Sequence, residues 1–172
     1  MDFENKVVAV TGGASGIGKA TCLAFLEAGA RVLCIDVDMA AIRLFISEIS
    51  PNKRHMMYFY NIDVSDWAGC CYLGTLIKDH MTIDVLVNNA AIQSLESYVP
   101  MHLLPVDLWD RILDVNLKGY FLMAKFCIPY MLKCGGGVII NIASVTGIMA
   151  SKNISAYGAS KAGAHGFAMT LA

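Results

Sequence analysis

A doubly wound parallel α/β sheet is the fold class this sequence predicts, and three observations predict it. Short β-branched runs alternate with segments of helical spacing, the links between them are short, and hydrophobic residues make up 56% of the chain against 16% charged. An excess of that size suits strands buried on both faces, as in a parallel sheet covered by helices, better than a sheet with one wet face.

The elements follow in order. Lys6 to Val10 is the first strand, and the glycine-rich stretch Thr11 to Gly18 links it to a helix from Lys19 to Ala28, which stops at Gly29. Arg31 to Val37 is the second strand, and Met39 to Ile49 has helical spacing up to Ser50 and Pro51. Met56 to Ile62 is the third strand, and Trp67 to His80 a third helix. Ile83 to Val87 forms the fourth strand, ending at Asn88, Asn89, Ala90 and Ala91. After a loop containing Pro100 and Pro105, Asp107 is expected to cap a long helix to Lys133, bent at Pro129. Glycines 135–137 break the chain before a fifth strand, Val138 to Ala143, and a last helix carries Tyr157. No internal repeat or linker appears, so residues 1–172 read as one domain.

Composition excludes several functions. A net charge of −1 without a Lys/Arg stripe gives no footprint for nucleic acid. The opening Met-Asp-Phe-Glu-Asn-Lys has no basic leader, and no apolar run reaches spanning length uninterrupted, so a soluble, cytoplasmic protein off the membrane is expected. The cysteines Cys22, Cys34, Cys70, Cys71, Cys127 and Cys134 lack zinc spacing and read as apolar filler. His55, His80, His102 and His165 show no metal spacing either, and no metal site is predicted.

Two patterns carry chemistry. Gly12, Gly16 and Gly18 lie between a strand and a helix, where they let the backbone turn and approach a pyrophosphate resting on the helix N-terminus. Asp36, at the end of the second strand, can accept hydrogen bonds from adenosine ribose hydroxyls and repels a 2′-phosphate. Ser15 and Val37 offer no cation for that phosphate, which favours NAD over NADP. Tyr157 and Lys161 stand one helical turn apart on a shared face. A phenol needs roughly 4 kcal/mol of differential stabilisation to titrate near neutrality, and a neighbouring ammonium supplies part of it.

Thr11-Gly-x-x-x-Gly-x-Gly18, Asp63-Val64, Asn88-Asn-Ala-Ala91, Asn116, Ser144 and Tyr157-x-x-x-Lys161 occur in one chain, in that order. The ordered set resembles the short, single-domain type of the short-chain dehydrogenase/reductase family, along the whole sequence. The resemblance implies a Rossmann-type fold and an NAD-dependent oxidoreductase acting between a secondary alcohol and a ketone. It makes Tyr157 the general acid/base and gives Lys161 the nicotinamide ribose and the task of lowering the Tyr157 pKa. Ser144 would hold the substrate oxygen, and Asn116 a water that links Lys161 to solvent. Gly12, Ser15, Gly16, Ile17 and Gly18 would cradle the cofactor, Asp36 its ribose, and Asp63 and Val64 its adenine. Asn89, Ala90 and Ala91 would line the adenosine side. Taken one by one, Asn116 could equally be a helix-surface amide, and Ser144 or Ser155 a capping hydroxyl.

Two departures from the family pattern stand out. Ala91 occupies a place where the family commonly has Gly, at the cost of one methyl group. The sequence also stops at Leu171 and Ala172, where the family continues through further strands and a segment over the substrate. A C-terminally truncated member is therefore expected, with the fifth strand an exposed apolar edge. A non-catalytic homologue acting as an interaction partner, or an inactive fragment, is the alternative reading, and a dehydratase or isomerase using the same tyrosine a weaker one. Loop residues 93–105 and 145–153, mixed apolar and neutral, suggest an uncharged hydroxyl substrate. The family's habit of pairing these helices implies a homo-oligomer through 107–133 and 157–172.

Overall fold

In the computed structural model, residues 3–77, 82–149 and 151–171 are described. Five strands form one parallel sheet: β1 (Val7–Thr11), β2 (Arg31–Asp36), β3 (Met57–Asn61), β4 (Val85–Asn88) and β5 (Val138–Asn141). Their spatial order is β3-β2-β1-β4-β5, a Rossmann-like arrangement in which the order reverses between β1 and β4. Open α/β sheets bind ligands at such a reversal, outside the carboxyl ends of the strands.

The central strands are apolar throughout because both faces are covered. On β1, Val7 and Ala9 point into one core with Leu33, Leu86, Leu73 and Met123, whereas Val8 and Val10 point into the other with Cys34, Cys22 and Phe45. This two-residue alternation puts every β1 side chain out of water, and each of the larger ones contributes about 1.5 to 3 kcal/mol by burial. β5 differs. Among the described residues it pairs with β4 alone, and Val138 and Ile140 remain 55% and 39% exposed, the edge that the sequence predicts.

The helices are α1 (Gly16–Glu27), α2 (Met39–Glu48), α3 (Trp67–Ile77), α4 (Val106–Leu113), α5 (Gly119–Leu132) and α6 (Ser155–Met169). Helix α1 starts three residues earlier than expected, inside the glycine loop, so its first amides belong to the loop itself. The expected end of α3 at His80 falls outside the described residues. Strands β3 and β5 are shorter than predicted, the latter ending at Asn141 instead of Ala143.

The long helix corrects two expectations. Pro105, in extended conformation, is its N-cap, and Asp107 makes no capping bond but sits in the first turn, where a carboxylate meets the positive end of the dipole. The helix is also not uniform: Asp114–Lys118 form a π-turn between α4 and α5. Single π-turns inside α-helices are rare and occur frequently at functional sites. Here the turn holds Asn116, which is fully buried. Helix α5 then runs through Pro129 to Leu132.

Candidate active site

A cleft of about 300 Å³ opens at the carboxyl ends of β1, β2 and β4. Its lining includes Gly12, Ser15, Gly16, Ile17, Asp36, Asp63, Val64, Asn89, Ala90 and Ala91, so ten of the residues singled out in the sequence converge there. Gly18 lies just beneath: a Cβ at that position would stand 2.0 Å from the Gly12 carbonyl oxygen. At Gly16 a Cβ would meet nothing within 4 Å, but its φ of +50° is one that only glycine adopts cheaply. Ser15 caps α1 through its backbone and makes no side-chain cap bond. The first-turn amides therefore have no side chain over them at the lip of the cleft, a site suited to an anion.

The loop is fastened from behind by Asn89. Its Nδ2 donates to the carbonyls of Thr11 (2.9 Å) and Gly12 (3.1 Å), and the Thr11 hydroxyl accepts from the amides of Asn89 and Ala90. Asp36 accepts the Ala14 amide at 2.9 Å through one oxygen and the Asp38 amide at 3.0 Å through the other. Both bonds hold its carboxylate at the cleft, next to an exposed Val37. Asp63 accepts the amide and hydroxyl of Ser65 and the guanidinium of Arg111. Partial burial alone would raise the Asp63 pKa, but the two Ser65 bonds and Arg111 outweigh it and hold the carboxyl below its usual range. Arg111 is the one basic side chain among the described residues of the lining. Ala91 is exposed, so its extra methyl group meets open space.

Helix α6 brings the second group together. Lys161 is 1% exposed, and its Nζ donates to the Ile142 carbonyl at 2.7 Å and to the Tyr120 hydroxyl at 2.9 Å. It lies 5.1 Å from the Tyr120 ring centroid and 5.8 Å from that of half-buried Tyr157, so the ammonium contacts both phenol rings. Burial pulls the Lys161 pKa down to about 8. Asn116 exchanges hydrogen bonds with the backbone of Ile92 (2.7 and 3.0 Å) and donates to Ser160 Oγ at 3.1 Å. It therefore has no direct bond to Lys161 but grips the residue beside it.

Ser144 caps the short turn Val145–Gly147, its Oγ accepting from the amide and hydroxyl of Thr146. That turn packs on α6: a Cβ at Gly158 would lie 3.3 Å from the Thr146 carbonyl, and one at Gly147 would lie 2.8 Å from the Ala162 amide nitrogen. Ser144 thus does cap, yet it does so beside the Tyr157 helix. Ser155 caps nothing, since Ile154 is the N-cap of α6. Among the described residues no cluster of His, Cys, Asp or Glu could hold a metal ion.

Sequence reasoning passed over three residues. Tyr120 follows Asn116 by one turn and Ser160 precedes Lys161, so the spacing that flagged their neighbours was available for both. Arg111 pairs with a residue 48 positions away, and nothing local announces it.

With this geometry in place, comparison with known proteins identifies the family. The short chain dehydrogenase family matches residues 6–172, and the chain belongs to it. It is 37% identical to 3-oxoacyl-[acyl-carrier-protein] reductase FabG of Thermotoga maritima, over 100% of this chain and 69% of that protein. It is 34% identical to the 7alpha-hydroxysteroid dehydrogenase of Bacteroides fragilis, over 94% of this chain and 62% of that protein. An oxidoreductase of Bacillus subtilis, YxbG, is 41% identical over 94% of this chain and 58% of its own length. The chain therefore spans between 58% and 69% of these relatives. Among solved structures, NAD+-bound xylitol dehydrogenase superposes with a TM-score of 0.89 at 29% identity, over 100% of this chain and 65% of that one. A serine dehydrogenase complexed with NADP+ gives 0.87 at 28% identity, over 96% and 64%.

Proposed function

We propose that the chain is the nucleotide-binding and catalytic portion of an NAD-dependent oxidoreductase that interconverts a secondary alcohol and a ketone. The single observation that carries this reading is the Lys161 ammonium, buried yet held 5.8 Å from the ring of Tyr157. Tyr157, one helical turn before that fixed cation, is placed to take the alcohol proton, or to return it in carbonyl reduction.

The residues fit a dinucleotide. The open space over Gly16, the contact that forbids a Cβ at Gly18 and the uncapped amides of α1 form a cradle for a pyrophosphate. Asp36 faces the ribose end with both oxygens already oriented, and Arg111, the base in the lining, is committed to Asp63 and Ser65. This arrangement favours NAD over NADP. The bound nicotinamide supplies the hydride chemistry. The protein binds, orients and moves protons. Ser144 Oγ accepts two bonds from Thr146 and retains its own proton for a substrate oxygen. Asn116 holds α6 in register through Ser160, and we assign it the water that connects Lys161 to solvent. Val64, Ala90 and Ala91 complete the adenosine wall.

Exposed apolar side chains in the flanking loops (Leu95, Met101, Val145, Ile148 and Met149) support an uncharged substrate. Leu113, Leu117, Phe121 and Phe167 form an apolar surface shared by the long helix and α6, which supports a homo-oligomer paired through these helices. No described helix is long and apolar enough to cross a membrane, in keeping with a cytoplasmic enzyme. We take residues 1–172 as one dinucleotide-binding unit.

A panel of secondary alcohols, assayed with NAD+ by the absorbance of the reduced nicotinamide, tests the chemistry. Turnover should fall about 100-fold or more in Tyr157→Phe, with NADH affinity kept within about twofold. Turnover unaffected by that substitution would remove Tyr157 from the reaction.

A further inference from the structure

Lys161 has a partner that the family motifs do not name. We infer that Tyr120 is a positioning residue, whose buried hydroxyl holds the Lys161 ammonium in the orientation and charge state that Tyr157 requires. The inference rests on Tyr157 and Lys161 being the acid/base pair proposed above.

Three hydrogen bonds close a triangle. Lys161 Nζ donates to Tyr120 Oη (2.9 Å) and to the Ile142 carbonyl (2.7 Å), and Tyr120 donates its own proton to the same carbonyl (3.0 Å). The phenol proton is thus committed, and toward Lys161 the oxygen can only accept. Two of the three ammonium protons are taken, and one remains for the Tyr157 side. Tyr120 is 1% exposed, so it offers no route for a proton to solvent and no surface to a substrate. Burial, and secondarily the proximity of Tyr157, push its pKa well above the ordinary phenol value, so it stays a neutral phenol beside the ammonium.

The geometry assigns different tasks to two tyrosines on the same cation. Half-buried Tyr157 contacts the ammonium from one turn away on α6, and fully buried Tyr120 reaches it from α5. Asn116, one turn before Tyr120, bonds Ser160, so the long helix grips two consecutive residues of α6. The groups facing Lys161 are Tyr120 from α5, Tyr157 from α6 and the Ile142 carbonyl beyond β5. None of the ion pairs among the described residues reaches it. With no carboxylate to balance the charge, each acceptor counts: a buried ammonium that loses one of two holds its proton less tightly.

Tyr120→Phe keeps the ring and removes the acceptor. In the full chain labelled with 13C-lysine, Lys161 is assigned by the signal absent from Lys161→Met and titrated by NMR. Its proton affinity should fall roughly tenfold in Tyr120→Phe against the wild-type chain. The alkaline limb of the kcat/KM profile for alcohol oxidation should move to lower pH, whereas NADH affinity at pH 6, where Lys161 is cationic in both, should not change. An unaltered Lys161 titration would overturn the inference and leave Tyr120 as packing. Should the variant not fold, ring-labelled tyrosine in the wild-type chain decides: the Tyr120 resonance must shift as Lys161 deprotonates, and a flat response is the overturning result. Failure of the wild-type chain to bind NADH would count against the enzyme reading instead, since the NMR titrations need no cofactor.

Discussion

Asn116 Nδ2 stands 3.1 Å from Ser160 Oγ, and that contact joins the π-turn of the long helix to the helix that carries Tyr157 and Lys161. The same amide satisfies both backbone groups of Ile92, which follows the cleft-lining Ala91. One buried side chain thus ties three segments around the site.

Replacing it should be costly. Asn116→Leu removes three hydrogen bonds and leaves the half-buried Ile92 amide and carbonyl without their side-chain partner, for an expected loss of about 2 to 4 kcal/mol in urea unfolding. Ser160→Ala, which removes only the Asn116 contact and the local bond to the Tyr157 carbonyl, should cost about 1 kcal/mol. Equal effects would mean that the two bonds to Ile92 add nothing beyond the Ser160 contact.

The glycine loop separates close approach from backbone strain. At Gly18 a methyl group would overlap the Gly12 carbonyl at 2.0 Å, so Gly18→Ala must move the loop, and NADH affinity should weaken at least about tenfold. At Gly16 the space is empty and the cost lies in φ. Gly16→Ala should therefore lower stability by about 1 kcal/mol while disturbing the loop less. Fluorescence titration read beside urea unfolding distinguishes the two.

Lys161 makes stability rise with pH over a defined window. Its pKa is about 8 in the folded protein and 10.5 when unfolded, so between these values the unfolded chain binds more protons and folding is favoured as pH increases. Below about 8 both states are cationic and the full cost of the buried charge remains. Compared with Lys161→Met, which never carries that charge, the wild-type chain should gain up to about 3 kcal/mol from pH 8 to pH 10.5. Unfolding curves across that range, for both proteins, measure it. A constant difference would mean that Lys161 is not buried as a cation.

Asp63 works in the opposite direction. Its carboxyl is held below the ordinary value, so its contribution is present above the unfolded pKa of 3.8 and is lost as pH falls through the folded one. Arg111→Met removes part of the cause. The Asp63 carboxyl, followed by NMR, should then titrate at higher pH, and the acid-unfolding midpoint should rise with it.

Much of the fold was legible because the signals were local. Continuous apolar runs such as Val7 to Val10 gave the strands, and the glycine loop fixed the order of strand, cleft and helix. Asp36 and Asn89 could be placed because strand ends deliver residues to one edge of the sheet. The π-turn was not legible, since nothing local marks it and the bonds its Asn116 makes run to the Ile92 backbone, 24 residues away. Asp107 read as a cap, but the extended conformation that a cap requires fell to Pro105. Tyr120 has the composition of a core aromatic. Only the fold shows that its hydroxyl ends at Lys161.

Selectivity between the two nicotinamide cofactors is the most direct test of the cleft, because we assign Asp36 to the group by which they differ. Purified protein should be titrated with NADH and with NADPH, following nicotinamide fluorescence. NADH should bind at least about tenfold more tightly, and Asp36→Ala combined with Val37→Arg should narrow or reverse that ratio. Equal affinities in the wild-type chain, or a preference for NADPH, would contradict the role given to Asp36, and binding of neither would contradict the cleft as a dinucleotide site.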